Sequence, residues 1–180
     1  MPDTGIAKIL IPEQEIQTIV VALGGEITRH YRKLGGDLLV VGLLKGSFIF
    51  MADLVRSIDY PLTVDFLSVS SYSDATVSSG EVKVEKDIGG LIEGKNVLLV
   101  EDIVDTGYTF QKVIRLLKGR NPLSLKTCSL LSKPSRREVD VHIDFCGRDI
   151  PDEFVCGYGL DYAEKYRNLK FIGVLFVGGS

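Results

Sequence analysis

The chain has 180 residues, 45% of them hydrophobic and 25% charged, with a formal net charge of −3. That is enough for one domain with a full core. It is too little positive charge for a protein that holds nucleic acid by bulk basicity, and too apolar a composition for a disordered chain. The three cysteines, Cys128, Cys146 and Cys156, are odd in number and lack metal-site spacing, so they read as buried thiols in a reducing cytosol. The start of the chain lacks a basic stretch followed by a long apolar core. The longest apolar runs fall far short of the roughly 20 residues that span a bilayer. The expectation is a cytoplasmic protein with no membrane partner.

Ile16, Ile19, Val20, Leu23, Ile27 and Tyr31 recur at helical spacing and predict a helix over residues 13–34. "GGD" interrupts it, and "LLVVGLL" (38–44) reads as a buried strand. "KGS" turns the chain, with Ser47 placed to cap a second helix reaching about Ile58. "LTVDFLSVS" (62–70) alternates as a strand does, and the small polar run 71–80 reads as a loop before a short strand at "EVKVEK". "GKNVLLVED" leads into a central strand, residues 108–119 predict a helix ending near Gly119, and "LKTCSLLSK" is a further strand. Short strands are expected near 154–157 and 171–177. Strands alternating with helices predict an α/β fold with a mainly parallel twisted sheet flanked by helices. In such sheets ligands lie beyond the carboxyl ends of the strands. Three of those ends carry notable chemistry: Lys45-Gly46-Ser47, Glu101 to Thr109, and Lys133.

The most informative stretch is "VLLVEDIVDTGYTF" (97–110). An apolar strand runs into two adjacent carboxylates, Glu101 and Asp102, which repel each other and are costly to bury unpaired. After Asp105 come Thr106, Gly107, Tyr108 and Thr109, small or hydroxylated residues where a helix begins. Backbone N–H groups at a helix N-terminus form an anion site, so this loop suits a phosphate. The two acids suit sugar hydroxyls or a hard cation such as Mg²⁺. Phosphate loop and acid pair together describe a phosphorylated sugar. Neither a P-loop nor a dinucleotide fingerprint competes with this reading.

This stretch resembles the phosphoribosyl diphosphate motif of the type I phosphoribosyltransferases. Asp105 in Asp-Thr-Gly points to the 6-oxopurine branch, the hypoxanthine-guanine phosphoribosyltransferases. Further segments match in order: "LLKGS" (43–47), "SSYSD" (70–74) through "SSGEVKV", "SLLSKPSRR" (129–137) and "IPDEFVCGYGLDYAEKYRNL" (150–169). The resemblance spans roughly residues 10–175. Tyr108, where some members have lysine, and Ser47, where some have glycine, are departures from it.

The resemblance implies a type I phosphoribosyltransferase fold. It would be a single domain over residues 1–180, with a small hood made by the N-terminal segment and about 140–180. It implies transfer of a phosphoribosyl group to N9 of hypoxanthine or guanine, with Mg²⁺ as cofactor and small-molecule substrates rather than nucleic acid. Glu101 and Asp102 would orient the ribose and a metal ion, and Asp161 would bind a second Mg²⁺. Asp105 would be the acid–base residue near purine N7, although its position also suits a cap for the following helix. Residues 105–109 would hold the 5′-phosphate. Lys45 and Gly46 would offer backbone N–H groups to the diphosphate, beside a Leu44–Lys45 peptide that can be cis in the family, and Arg167 would bind the diphosphate with its guanidinium. Lys133 would donate to the 6-oxo oxygen, Phe154 would stack on the base, and Val155 would offer backbone groups to its edge. Ser71 and Tyr72 would belong to a loop closing over the reacting centre. A homodimer or homotetramer is expected. Two alternatives stay open: a xanthine-preferring relative, and an RNA-binding regulator of the same fold.

Overall fold

The computed structural model describes residues 5–71 and 82–176. Among the described residues, nine strands and three helices run in the order β1 (Gly5–Ile11), α1 (Glu13–Leu34), β2 (Leu38–Leu44), α2 (Phe48–Ser57), β3 (Leu62–Ser71), β4 (Val82–Lys86), β5 (Asn96–Val104), α3 (Tyr108–Lys118), β6 (Ser124–Ser132), β7 (Phe145–Asp149), β8 (Val155–Cys156) and β9 (Ile172–Phe176). A single 3₁₀ turn, Pro134–Arg136, follows β6. Among the described residues no helix is long and apolar enough to cross a membrane.

Six strands form the main sheet in the order β4-β3-β2-β5-β6-β7. All neighbours are parallel except β4, which pairs antiparallel with β3 at the edge. The side-chain period of two divides this sheet between two cores. Val40, Leu98, Val100 and Leu130 join Ile16, Val20, Leu23 and Ile27 of α1 and Phe50 and Leu54 of α2 on one face. Leu39, Val41, Leu43, Val97 and Leu99 face Phe110, Val113 and Leu117 of α3 on the other. Burial on both faces explains why β2 and the first half of β5 are almost uninterrupted apolar runs.

The chain leaves β2 for β3 on one side and comes back through β5 on the other. Strand order therefore reverses between β2 and β5, the switch point where open α/β sheets leave a crevice for ligands. Glycine makes the helix layer possible: a Cβ on Gly24 of α1 would overlap Ser57 O and lie 2.6 Å from Ser57 Cβ, at the end of α2.

A second, three-stranded sheet has the order β1-β9-β8, with both pairings antiparallel. Its makeup amends the expected hood in one respect. Residues 145–149 belong to the main sheet as β7, so the second sheet draws only on β1 and on strands after Asp149. The spacing of apolar residues gave no warning of β1 or β7. β1 is largely exposed, and β7 carries Gly147 and two charges. Two further expectations change. Ser47 precedes α2 but does not cap it: its hydroxyl donates back to Leu43 O at 2.7 Å. Cys146 is exposed on edge strand β7, whereas Cys128 and Cys156 are buried as expected; all three are free.

Gly24→Ala is expected to force α1 and α2 apart and to destabilise the protein by about 1–3 kcal/mol, the usual range for overpacking. The urea midpoint would fall with little change in slope.

Candidate active site

The carboxyl ends of β5 and β6 and the segment around β8 converge on one cleft of about 540 Å³. It is lined by Asp102, Ile103, Asp105, Lys133, Arg136, Asp152, Phe154, Val155, Leu160 and Asp161. A cleft of similar size, about 560 Å³, lies at the opposite ends of the strands, where Asp37 and Lys95 are its only charged lining residues. The topological rule and the concentration of charge both favour the first.

Asp102 lines this cleft, and Glu101 precedes it in β5. The Asp102 N–H donates to Glu101 Oε1 at 3.2 Å, and the Ile103 N–H donates to Asp102 Oδ1 at 2.8 Å. Burial, followed by the neighbouring Asp102 charge, pushes the Glu101 carboxyl well above the ordinary range; burial raises Asp102 as well. The positive charge that eases Asp102 is Arg167. Gly46, at the end of the β2 loop, faces Asp102, and a Cβ there would overlap its carboxylate. Glycine is therefore required where the β2 and β5 loops meet. The Leu44–Lys45 peptide beside it is cis.

The donor set fits a hard divalent cation. Two adjacent carboxylates lack compensation from their own chain, and Mg²⁺ is commonly held by one or two carboxylates together with substrate oxygens. Among the described residues no group of three or more His, Cys, Asp or Glu forms a self-sufficient metal cage. Glu101 and Asp102 would hold such an ion jointly with a bound sugar. Asp161 stands apart from them, engaged with Arg167 at 2.9 Å and accepting the Glu164 N–H at 2.9 Å.

Beyond β5 the loop turns into α3 at Gly107, whose φ of 93° is left-handed and suits glycine. A Cβ there would press on Arg137 Cδ and Val139 Cγ2, each at 3.1 Å. Thr106 O accepts N–H bonds from Glu138 and Val139 at 3.0 and 3.4 Å, tying the loop to the segment after β6. Tyr108 and Thr109 are exposed at the start of α3, which has no side-chain cap. Asp105 therefore does not cap the helix. Its carboxylate turns to Arg136 Nε at 3.0 Å and Lys133 Nζ at 3.5 Å.

Lys133 follows β6, and its N–H is bound to Val104 O at 3.0 Å. Its side chain is only 7% exposed, so its ammonium depends on the acids beside it, Asp105 and, at 3.9 Å, Asp152. Arg136 also reaches Asp152, at 3.7 Å. Phe154 is 52% exposed at the cleft and meets Tyr162 edge to face at 5.5 Å. Val155 is buried in β8 beside it.

The loop after β8 closes on the Lys45–Gly46 turn. A Cβ on Gly159 would overlap Gly46 O, and the Tyr158 hydroxyl donates to Asp53 of α2 at 2.5 Å. Arg167 donates to Gly159 O at 2.9 Å, and Lys45 Nζ lies 3.2 Å from Glu164 Oε1.

Of the residues expected from the sequence, Asp102, Asp105, Lys133, Phe154, Val155 and Asp161 line this cleft, while Lys45, Gly46 and Arg167 are tied to it through the contacts of Asp102, Asp161 and Gly159. Two expected residues are not placed by their side chains. Ser71 is placed only by its backbone, opposite Val82, and Tyr72 lies outside the described residues. Sequence reading missed Arg136, Asp152 and Glu164. Each looks like an ordinary surface charge in the sequence and gains meaning only from its partners.

A phosphoribosyl transferase domain matches residues 14–163. The chain belongs to the phosphoribosyltransferase family, in its type I fold. Within that family it is similar to the hypoxanthine phosphoribosyltransferase of Salmonella typhimurium, 51% identical over 92% of this chain and 93% of the relative. It is equally similar to the hypoxanthine-guanine phosphoribosyltransferase of Bacillus subtilis, 51% identical over 94% of this chain and 93% of that one. A crystal structure of a Staphylococcus aureus hypoxanthine phosphoribosyltransferase superposes with a TM-score of 0.90 at 48% identity, covering 95% of this chain and 92% of that one.

The acid pair makes a testable demand on stability. A folded-state pKa above the unfolded one gives stability that is complete at low pH and lost as pH rises through the raised value. The isosteric double variant Glu101→Gln/Asp102→Asn should therefore melt higher than the parent, without ligand, at about pH 8. The gain should be roughly 2–4 °C for each kcal/mol of relieved repulsion in a chain of this size. It should shrink away as pH falls below the ordinary carboxylate range, where both acids are protonated in the folded and the unfolded chain alike. Calorimetry above and below that range checks this.

Proposed function

We propose that the protein is a purine-salvage enzyme. It transfers the 5-phosphoribosyl group from 5-phosphoribosyl-1-diphosphate to N9 of hypoxanthine or guanine, giving the nucleoside monophosphate and diphosphate. The names of its relatives support the reading. The observation that carries it is the juxtaposition of Lys133, Asp105 and Phe154 on one cleft. These supply a donor for a 6-oxo group, an acceptor for a ring N–H and an aromatic surface for a planar base. Lysine has donors and no acceptor, so the 6-amino group of adenine would meet it donor to donor.

The α3 N-terminus and the Thr106–Thr109 loop hold the 5′-phosphate through backbone N–H groups and hydroxyls. Glu101 and Asp102 orient the ribose hydroxyls. Lys45, the Gly46 backbone and Arg167 bind the diphosphate that leaves. Mg²⁺, when bound, supplies charge neutralisation at the sugar diphosphate and a template for its oxygens; Glu101 and Asp102 are its proposed ligands, with Asp161 serving a second ion. Phe154 and the Val155 backbone position the base, and Asp105 accepts the purine proton near N7, directly or through one water. Holding N9 in line with C1 of the ribose removes most of the entropic barrier. Ser71 ends β3, and the closing loop expected from Tyr72 onward lies outside the described residues. A cytoplasmic location and a homodimer or homotetramer complete the proposal; sedimentation of the purified protein decides the last.

The test is nucleotide formation from phosphoribosyl diphosphate and Mg²⁺ with hypoxanthine, guanine, xanthine, adenine and uracil in turn. Hypoxanthine or guanine should be consumed and adenine and uracil left, while a dominant rate with xanthine would move the assignment to a xanthine-preferring enzyme. Asp105→Asn should keep the parent circular dichroism and lose about 10²–10⁴-fold in kcat, the usual scale for a general base. Near-parental turnover in that variant would remove Asp105 from proton transfer.

A further inference from the structure

Glu164 sits between the two cations assigned above to diphosphate. One carboxylate oxygen, Oε1, lies 3.2 Å from Lys45 Nζ, and the other, Oε2, lies 3.2 Å from Arg167 Nη2. A single carboxylate thus bridges a lysine from the β2 loop and an arginine from the loop after β8. These two segments are brought together only by the fold. The contact with Lys45, followed by that with Arg167, holds Glu164 below the ordinary carboxylate range, so it remains ionised at neutral pH.

The backbone at this point is arranged at a cost. Tyr162 and Lys165 exchange N–H to O bonds at 3.1 and 3.0 Å, closing a two-residue turn. Its central residues, Ala163 and Glu164, have φ of 49° and 63°. A tight turn with two positive φ values normally takes Asn and Gly. Ala-Glu is a poor choice for the turn itself, and strain of this kind persists where surrounding structure or function maintains it. Asp161 Oδ2 fixes the turn by accepting the Glu164 N–H at 2.9 Å.

We propose that Glu164 is an internal stand-in for diphosphate: its carboxylate occupies Lys45 and Arg167 in the ligand-free enzyme and must be displaced when a diphosphate group binds. This rests on the phosphoribosyltransferase reading and extends it to a residue that governs affinity for the leaving group. Holding the two cations together keeps them positioned without ligand. Competing for them weakens diphosphate binding on both sides of the reaction and speeds release of the product. The contacts are exposed, and exposed ion pairs are individually weak. The effect is therefore a tuning of affinity, not a block.

The deciding measurement is calorimetric titration of inorganic diphosphate with Mg²⁺ into the full chain and into Glu164→Gln. The variant should bind diphosphate roughly two- to tenfold more tightly, in keeping with the loss of two exposed ion pairs. Inosine monophosphate carries no diphosphate, so its affinity should stay within about twofold, and in steady state KM for phosphoribosyl diphosphate should fall while KM for hypoxanthine does not. Glu164→Asn, whose side chain tolerates positive φ, repeats the test if the first variant folds poorly. Equal or weaker diphosphate binding in the variants, or no binding to any of the proteins, overturns the proposal. Absence of hypoxanthine turnover in the parent would instead refute the enzymatic reading, while the diphosphate titration would still decide the part played by Glu164.

Discussion

Two carboxylates side by side at the end of a buried strand constrain everything around them. Glu101 and Asp102 emerge where β5 leaves the core, at the point where strand order reverses. The polypeptide offers them two short backbone contacts and the more distant field of Arg167. Both acids are consequently held toward their protonated forms, and the proposed cation and sugar hydroxyls would restore their charge. Gly46 has no side chain because Asp102 fills that space, and Gly159 has none because Gly46 O does. The acid pair thus fixes the path of two loops as well as the chemistry at that end of β5.

Charge in the cleft is arranged as closed pairs. Lys133 and Arg136 are matched by Asp105 and Asp152, while Lys45 and Arg167 are matched by Glu164 and Asp161. Every cation that the proposed reaction would direct at the base or the diphosphate already has an acid beside it. Such pairing keeps a concentrated array of like charges from repelling itself, at the expense of affinity for anionic ligands. The two quartets also differ in cover. Lys133 is almost wholly buried, whereas Lys45 and Glu164 stand largely in solvent. Lys133 is therefore held firmly among its acids, whereas the Lys45–Glu164 pair is exchangeable and screened by salt.

Much of this was legible in the sequence because local and global signals agreed. The apolar period of α1 gave its limits, and the run in β2 and β5 announced strands buried on both faces. Site residues from Glu101 to Thr109 could be read because strand, acid pair and turn follow one another without interruption. The failures share a physical origin. β1 has one fully buried residue out of seven and finds its partner only at the far end of the chain. β7 contains Gly147, whose missing side chain makes room for Leu130 O and Ile19. Ser47 occupies a capping position, yet its hydroxyl serves the preceding strand. Arg136, Asp152 and Glu164 are exposed charges of unremarkable type, and only tertiary structure supplies their counter-ions.

The pairing of β1 with β9 sets an order of assembly. Gly5 lies opposite Phe176, and Ile11 opposite Ile172, so the first described strand is zipped to the last. The two short strands of this sheet cannot bury their inner faces without that closure, and closing so long a loop exacts its entropy before any contact is made. The main sheet grows from neighbours much closer in sequence and does not wait for it. The wall that carries Val155 is thus the last part of the cleft to be completed.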